Sequence, residues 1–411
     1  LKAVIIGAGI SGLSTAYYLA RAGWDVHVLE KGEGLDNCSH GNAGMVVPSH
    51  FTPLAAPGMV AQGIRWMFDG KSPFYVRPSL DLSLVDWGLK FLRHANEGHV
   101  RRHAEAIRDL NLYSSRLYDA LAEGLDFGLR QNGILMLYRS AQAEREEKLL
   151  AERAVRLGLD AVCYDADGAQ ALEPHLRLDV MGGVLYTCDG ILDPQKLMAA
   201  LRDDLANRGA VFHWNCAVTG FRTSGRKVTE VLTAKGGLSA DGIVAACGSA
   251  LPVLAAKLGL NMPLMPGKGY SFLHDPAPGM SIVHGALLLE ARVAVTPMNG
   301  RIRFGGTMEL GPANDRIYPK RVRGIVEAVP KYFPDLRVGY PEKVWYGYRP
   351  CPPDGLPYLG RTRRYDNVGI AGGGGMMGLS LGPAFGKTMA DLLSDRPAET
   401  DISGFDPDRF L

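Results

Sequence analysis

Residues 2–30, KAVIIGAGISGLSTAYYLARAGWDVHVLE, constrain the fold more than any other stretch. Ala3 to Ile6 is a short apolar run suited to a buried parallel strand. Gly7, Gly9 and Gly12 follow in G-x-G-x-x-G spacing, and helical periodicity continues to Gly23, a candidate C-cap. DVHVLE reads as a second strand closing on Glu30. Each choice has a physical task. Gly7 permits a tight turn, Gly9 lets backbone approach a pyrophosphate, and Gly12 lets helix and strand pack closely. The helix N-terminus offers N–H groups and partial positive charge to that pyrophosphate. Glu30 accepts from a ribose, and its charge repels a 2′-phosphate. A lone glycine fingerprint is weak; inside a complete strand–helix–strand with the terminal acid it is strong. NAD and FAD both satisfy it.

Composition narrows the class. The 411 residues suggest about two to three domains, and 46% hydrophobic with 21% charged residues describe a folded globular protein. A net charge of +2 is too small to argue for nucleic acid or an anionic membrane surface. Six scattered cysteines form no C-x-x-C pair, which fits a reducing compartment and argues against a zinc site. No run reaches the roughly 18 apolar residues of a membrane helix. The apolar start is short and glycine-broken, and does not read as a signal peptide. The expected place is therefore the cytoplasm, with a peripheral seat at the inner face of the cytoplasmic membrane left open.

Later stretches carry further glycine-rich turns. SHGNAGMVVPSHFTPLAAPG, Ser39 to Gly58, is rich in small residues that let backbone come near a flat ring system; an ordinary loop has the same composition. VFHWNCAVTGF, Val211 to Phe221, alternates like one strand, and GLSADGIVAACGSA reads as a strand ending in a small-residue turn. NVGIAGGGGMMGLSLGPAFGKTMADLLSD is a strand, four glycines and a helix, with Pro383 in the first turns. That helix start suits a delocalised negative charge such as a reduced flavin carries.

Together these segments resemble the FAD-dependent amine and amino-acid oxidoreductases, and among them the bacterial D-amino-acid dehydrogenases. The likeness spans nearly the whole chain and rests on SHGNAGMVVPSHFTPLAAPG, DGILDPQKL, PGKGYS, RFGGTMELG, YRPCPPDGLPYLGRT and GGGGMMGLSLGP, in order. It implies an α/β fold: a Rossmann-type FAD-binding domain (1–85, 188–255 and 342–411) with a discontinuous α+β substrate domain (86–187 and 256–341). It implies that Gly7, Gly9, Ile10, Ser11 and Gly12 hold the diphosphate, with Glu30 and Lys31 at the ribose. Ser39, Asn42, Ala43, Gly44 and Met45 run beside diphosphate and isoalloxazine. Val218 meets adenine through its backbone, and Cys247 and Gly248 flank the ribityl–adenosine path. Gly375, Met376, Met377, Gly378 and Leu379 line the pyrimidine edge. Relatives often carry histidine in a GHG here; this chain has Gly373, Gly374 and Gly375 instead.

The stretch WYGYRPCPPDGLPYLG contains one arginine, Arg349, in what its prolines and glycines mark as a shaped loop. The resemblance makes Arg349 the carboxylate binder, and a planar fork does pair a carboxylate bidentately. The competing reading pairs it with Asp354. Tyr270, Tyr346 and Tyr348 are candidates to wall the pocket or fill the core. His50 is a candidate for the flavin face. His99 and His103 have metal-ligand spacing, but neighbouring arginines oppose a cation, and no metal is expected. The runs from 86 to 187 read as helices around the strand NGILMLYRS, and Asn299-Gly300 signals a hairpin. The expected reaction is oxidative deamination of a D-amino acid to a 2-oxo acid, or to a cyclic imine, with electrons passing to a quinone or other acceptor. The alternatives are a glycine- or sarcosine-type oxidase, a flavoprotein acting on transfer RNA, and a non-catalytic FAD-binding protein.

Overall fold

The computed structural model describes residues 1–34, 37–58, 73–77 and 81–411. Residues 35–36, 59–72 and 78–80 of the expected segment 1–85 lie outside the described residues. The opening strand, Lys2–Ile6, sits at the middle of a six-stranded sheet. From one edge the order is Tyr358–Arg361, Val368–Gly372, Gly242–Ala245, Lys2–Ile6, Asp25–Leu29 and Val211–His213. All neighbours are parallel except the first pair. Ala3, Val4 and Ile5 are wholly buried, as a strand covered on both faces requires.

Helices Ile10–Arg21 and Gly382–Leu393 lie against each other on this sheet. Their backbones meet at Gly386, where an added Cβ falls 2.3 Å from the carbonyl carbon of Ser14. Pro383 occupies the first turn of its helix, where a missing N–H costs nothing. The run read as one strand from Val211 to Phe221 is two. Asn215 adopts φ 51° and breaks it, so Val218–Ser224 joins a separate three-stranded antiparallel sheet with Lys227–Thr233 and Gly236–Ser239.

The second large sheet has nine strands. Its order is Trp345–Cys351, Met265–His274, Arg301–Leu310, Val293–Met298, Gly285–Leu288, Ile134–Tyr138, Gly182–Tyr186 and Ala161–Asp165. Phe74–Val76 also pairs with Arg301–Leu310. Asn299 and Gly300, both at positive φ, form the expected hairpin between Val293–Met298 and Arg301–Leu310. Helix Pro319–Tyr332 covers one face, with Val322, Ile325 and Val329 packed into the cluster around Phe272 and Phe304. The other face meets the loop that follows Asp25–Leu29: Ser271 Oγ donates to the Gly41 carbonyl at 2.7 Å, and Arg303 Nη1 donates to the carbonyls of His40 and Asn42 at 3.2 Å.

Trp345–Cys351 falls inside the range 342–411 expected to accompany the nucleotide fold. It pairs instead with Met265–Ser271 at the edge of the large sheet. Pro350 is tolerated there because it faces Pro266 on an edge strand, where the ladder bond it cannot donate is not needed.

Candidate active site

The first glycine turn behaves as its spacing predicts. Gly7 has φ 110°, and a Cβ there lies 2.5 Å from the Ala246 carbonyl oxygen. A Cβ on Gly12 lies 1.9 Å from the Gly7 carbonyl oxygen, so helix and strand can approach only without it. Gly9 differs. Its backbone is extended (φ −76°, ψ 179°), open to any residue, and among the described residues only Ser39 Oγ stands within 4 Å of an added Cβ, at 3.5 Å. Nothing among the described residues requires glycine at this position. A bound phosphate approaching the helix start does, and this is the fit the cofactor needs.

Around that turn the expected groups assemble. Glu30 accepts the Ala8 N–H at 2.8 Å and the Gly32 N–H at 3.2 Å, leaving carboxylate lone pairs for a ribose. Lys31 beside it is exposed. Ser39 Oγ accepts the Ile10 N–H at 3.0 Å, and Ser11 stands in the first helical turn. The Cys247 backbone lies 3.0 Å from the Cβ position of Gly7, and Gly248 turns the chain at φ 56°. Burial pushes the Cys247 thiol up to about 12, with the Glu30 charge adding to it. Val218 opens its strand two residues after Cys216, whose N–H donates to the Glu30 carbonyl at 2.8 Å.

The loop from Ser39 to Met45 then bridges to the large sheet. Asn42 Oδ1 accepts the Gly44 N–H at 2.9 Å, Ala43 faces Gly305, and Met45 pairs with Ile191. The second glycine run divides by residue. Gly375, Met376 and Met377 border a partly open pocket, with His50, Thr52, Cys351 and Pro352 on its other walls. Met377 and Leu379 turn inward: Asn111 lies 3.6 Å from Met377 Sδ, and the Tyr118 hydroxyl donates to the Leu379 carbonyl at 2.6 Å. These bonds anchor the loop on helix Glu97–Ala122, one through the Met377 side chain and one through the Leu379 carbonyl. Burial, then the charge of Arg292, holds His50 down at about 4.

Arg349 stands on a strand, not in a loop, and its guanidinium lies flat on Gly269. Nη1 donates to the Thr307 carbonyl at 2.8 Å. Thr307 has φ 61°, rare for a β-branched residue, at a bulge in the ladder between Met265–His274 and Arg301–Leu310. Among the described residues no carboxylate pairs with Arg349, and burial pulls its pKa down. Asp354 is taken. It accepts Arg409 Nε at 2.7 Å and Nη2 at 3.1 Å, a buried bidentate pair that fixes the turn after Arg349. Arg409→Met is expected to lower the unfolding free energy by about 3–5 kcal/mol, by leaving a buried carboxylate unpaired; urea unfolding measures it.

Tyr270 and Tyr346 require a correction. Side chains alternate along a strand, and Tyr346, Tyr348, Lys268 and Tyr270 all project to the face opposite Arg349. There the Lys268 ammonium sits 4.6 Å from the Tyr346 ring and 5.6 Å from the Tyr348 ring. The Tyr270 hydroxyl donates to Glu309 at 2.7 Å and that of Tyr346 to Asp315 at 3.1 Å. This cage is structural. The residue that shares the face of Arg349 is Trp345, whose ring lies against Gly41 and Gly347. A strand read through Pro350 would have found it by parity. Among the described residues no cluster of metal-ligating side chains occurs, and His99 Nε2 lies 2.8 Å from the Asp354 carbonyl.

Gly269 supplies a test. A methyl there falls 2.3 Å from Arg349 Nη1, the end of a movable side chain, so the fold survives while the guanidinium shifts. Gly269→Ala is expected to lower kcat/KM by about 100-fold with little change in melting temperature.

A largely parallel sheet with a glycine cradle at its strand ends, facing a second sheet that presents a part-buried guanidinium, fits a flavin-dependent oxidoreductase. The chain belongs to the FAD dependent oxidoreductase family, whose model matches residues 2–392. It is 31% identical over 416 residues to a D-amino acid dehydrogenase of Granulibacter bethesdensis, covering 98% of this chain and 97% of that one. It is 33% identical to a D-amino acid dehydrogenase of Cereibacter sphaeroides, covering 100% and 95%. In fold it is similar to glycine oxidase from Geobacillus kaustophilus (TM-score 0.80, 23% identity, 100% and 98% covered). It is also similar to L-proline dehydrogenase from P. horikoshii (TM-score 0.77, 22% identity, 100% and 97% covered). Among the described residues no helix is long and apolar enough to cross a membrane.

Proposed function

We propose that the protein oxidises D-amino acids to 2-oxo acids and ammonia, or to cyclic imines, and passes the electrons to an acceptor other than oxygen, such as a quinone. One observation carries the reading: Arg349 is a part-buried cation without an acidic partner among the described residues, on the sheet face turned toward the cofactor loop. A guanidinium so placed favours an anion, and a carboxylate matches its fork. FAD, when bound, supplies the hydride acceptor at N5. The chain does the rest. Arg349 fixes the substrate's carboxylate, the Thr307 carbonyl holds the guanidinium in plane, and Gly269 keeps the bed beneath it flat. Tight seating between the two sheets excludes water from the reacting carbon.

The division into an FAD-binding unit and a substrate unit is part of the same reading, with Trp345–Cys351 assigned to the substrate unit because it is hydrogen-bonded there. Peripheral association with the cytoplasmic membrane would bring the site to a lipid-dissolved acceptor. The test is anaerobic mixing with a panel of D- and L-amino acids while following the flavin band at about 450 nm. D-amino acids are expected to bleach it, and reoxidation by a quinone analogue is expected to outpace reoxidation by air. Bleaching by no amino acid rejects the proposal; fast reoxidation by air converts it to an oxidase.

A further inference from the structure

The cradle and Arg349 leave a buried titratable cluster around Asp189 unused. Asp189 is fully buried and has no cationic partner among the described residues. Its Oδ1 accepts the Ser49 N–H at 2.9 Å and its Oδ2 accepts the Ser49 hydroxyl at 2.6 Å; the Cys188 thiol donates to Oδ1 at 3.6 Å. Ser49 Oγ lies 3.3 Å from His50 Nδ1. A hydroxyl that donates to the carboxylate offers the imidazole only a lone pair, so Nδ1 carries the ring hydrogen and Nε2 is the bare acceptor. Nε2 has no partner among the described residues, and the ring borders the pocket lined by Gly375 and Met376. The loop is held in place on its far side, where the Val47 N–H donates to Ser380 Oγ at 2.9 Å and Ser380 Oγ donates to Asn111 at 2.9 Å.

We propose that Asp189 stores a proton for this cavity, acting through Ser49 and His50 to take it from the substrate's ammonium group before oxidation. The proposal rests on the amino-acid reading above. In the step, an N–H bond of the ammonium breaks and the proton bonds to His50 Nε2. The Nδ1 proton moves to Ser49 Oγ as the Ser49 proton moves to Asp189 Oδ2. The substrate ends as a neutral amine, Asp189 as a carboxylic acid, and His50 as the other neutral tautomer. His50 never holds net charge at rest, so its low proton affinity is no obstacle.

Burial, with the Glu147 charge adding to it, raises Asp189 to about 7 against the hydrogen bonds from Ser49 and Cys188. The titratable and charged neighbours are Glu147, Tyr186 and Cys188 around Asp189, and Arg292 near His50. The carboxylate accepts a proton only when ionised. The relay therefore gains capacity as pH rises through about 7 and loses it below.

Holoenzyme with isotope-labelled histidines, titrated by NMR from about pH 5 to about 9, gives a readout independent of turnover. The His50 signal, assigned by its loss in His50→Gln, is expected to inflect near pH 7. Asp189→Asn is expected to remove that inflection. So is Ser49→Ala, which keeps the backbone bond to Asp189 and serves if the first variant fails to fold. In turnover, flavin bleaching is expected to fall about tenfold per pH unit below the limb in the wild type, and to lose that limb in Ser49→Ala. No inflection in the wild type, or one that survives Ser49→Ala, overturns the relay. If the inflection behaves as stated and no amino acid bleaches the flavin, the relay stands and the amino-acid reading is what fails.

Discussion

Arg349→Met is expected to raise the KM for an amino-acid substrate by roughly 30-fold to 4,000-fold while FAD stays bound. The range is the cost of removing one partner from a desolvated ion pair, about 2–5 kcal/mol, converted at about 1.4 kcal/mol per decade. The cofactor survives because the first glycine turn and Glu30 are built on the other sheet. Folding survives too: methionine removes a part-buried charge whose described bond is to the Thr307 carbonyl. Arg349→Lys restores little, because a single ammonium cannot grip both carboxylate oxygens. The concentration of amino acid that half-saturates anaerobic flavin reduction measures the effect. An unchanged value removes Arg349 from substrate binding.

Two neighbouring glycines are expected to fail in opposite ways. Gly12→Ala puts a methyl 1.9 Å from the Gly7 carbonyl oxygen, backbone that cannot step aside, so the first helix must lift off its strand. Overpacking at such a site costs about 1–3 kcal/mol or more, and the variant should melt early. Among the described residues Gly9→Ala meets only Ser39 Oγ, at 3.5 Å, in a backbone conformation alanine accepts. It should fold and melt like the parent apoprotein, yet purify largely without FAD, because the methyl stands where the diphosphate approaches. The bound-flavin absorbance of the two proteins, set beside their apoprotein melting curves, separates the cases. A Gly9→Ala protein that retains full flavin refutes the assignment of this turn.

The nucleotide-binding half was legible because its information is local. Strand, turn, helix and acid lie within thirty residues, and each glycine answers to a neighbour in sequence or to a ligand. The substrate side was legible only in part because its information is in register. Which of Trp345, Tyr346, Tyr348 and Arg349 share a face depends on the strand continuing through Pro350, and that depends on the strand being an edge opposite Pro266. Read as a loop, the stretch gives no parity, and the conspicuous tyrosines look better than the tryptophan. Asp189 was harder still. DGILDPQKL has no signal that its first acid is wholly buried; only the contact with Ser49, 140 positions away, reveals a carboxyl without a counter-ion among the described residues. Likewise the Asp354 alternative for Arg349 could be dismissed only once Arg409 was seen to occupy it.

The alternation of Trp345–Cys351 has a practical consequence for anyone engineering this protein. Its odd positions look toward the proposed substrate site and its even positions toward a tyrosine-lined lysine on the far side. A mutant library confined to Tyr346 and Tyr348 should tune thermal tolerance and leave the choice of amino acid unaltered. One confined to Trp345 and Gly347 should do the reverse. Inserting or deleting a single codon between them would exchange the two roles at once, so loop-grafting across this segment must conserve length before it conserves identity.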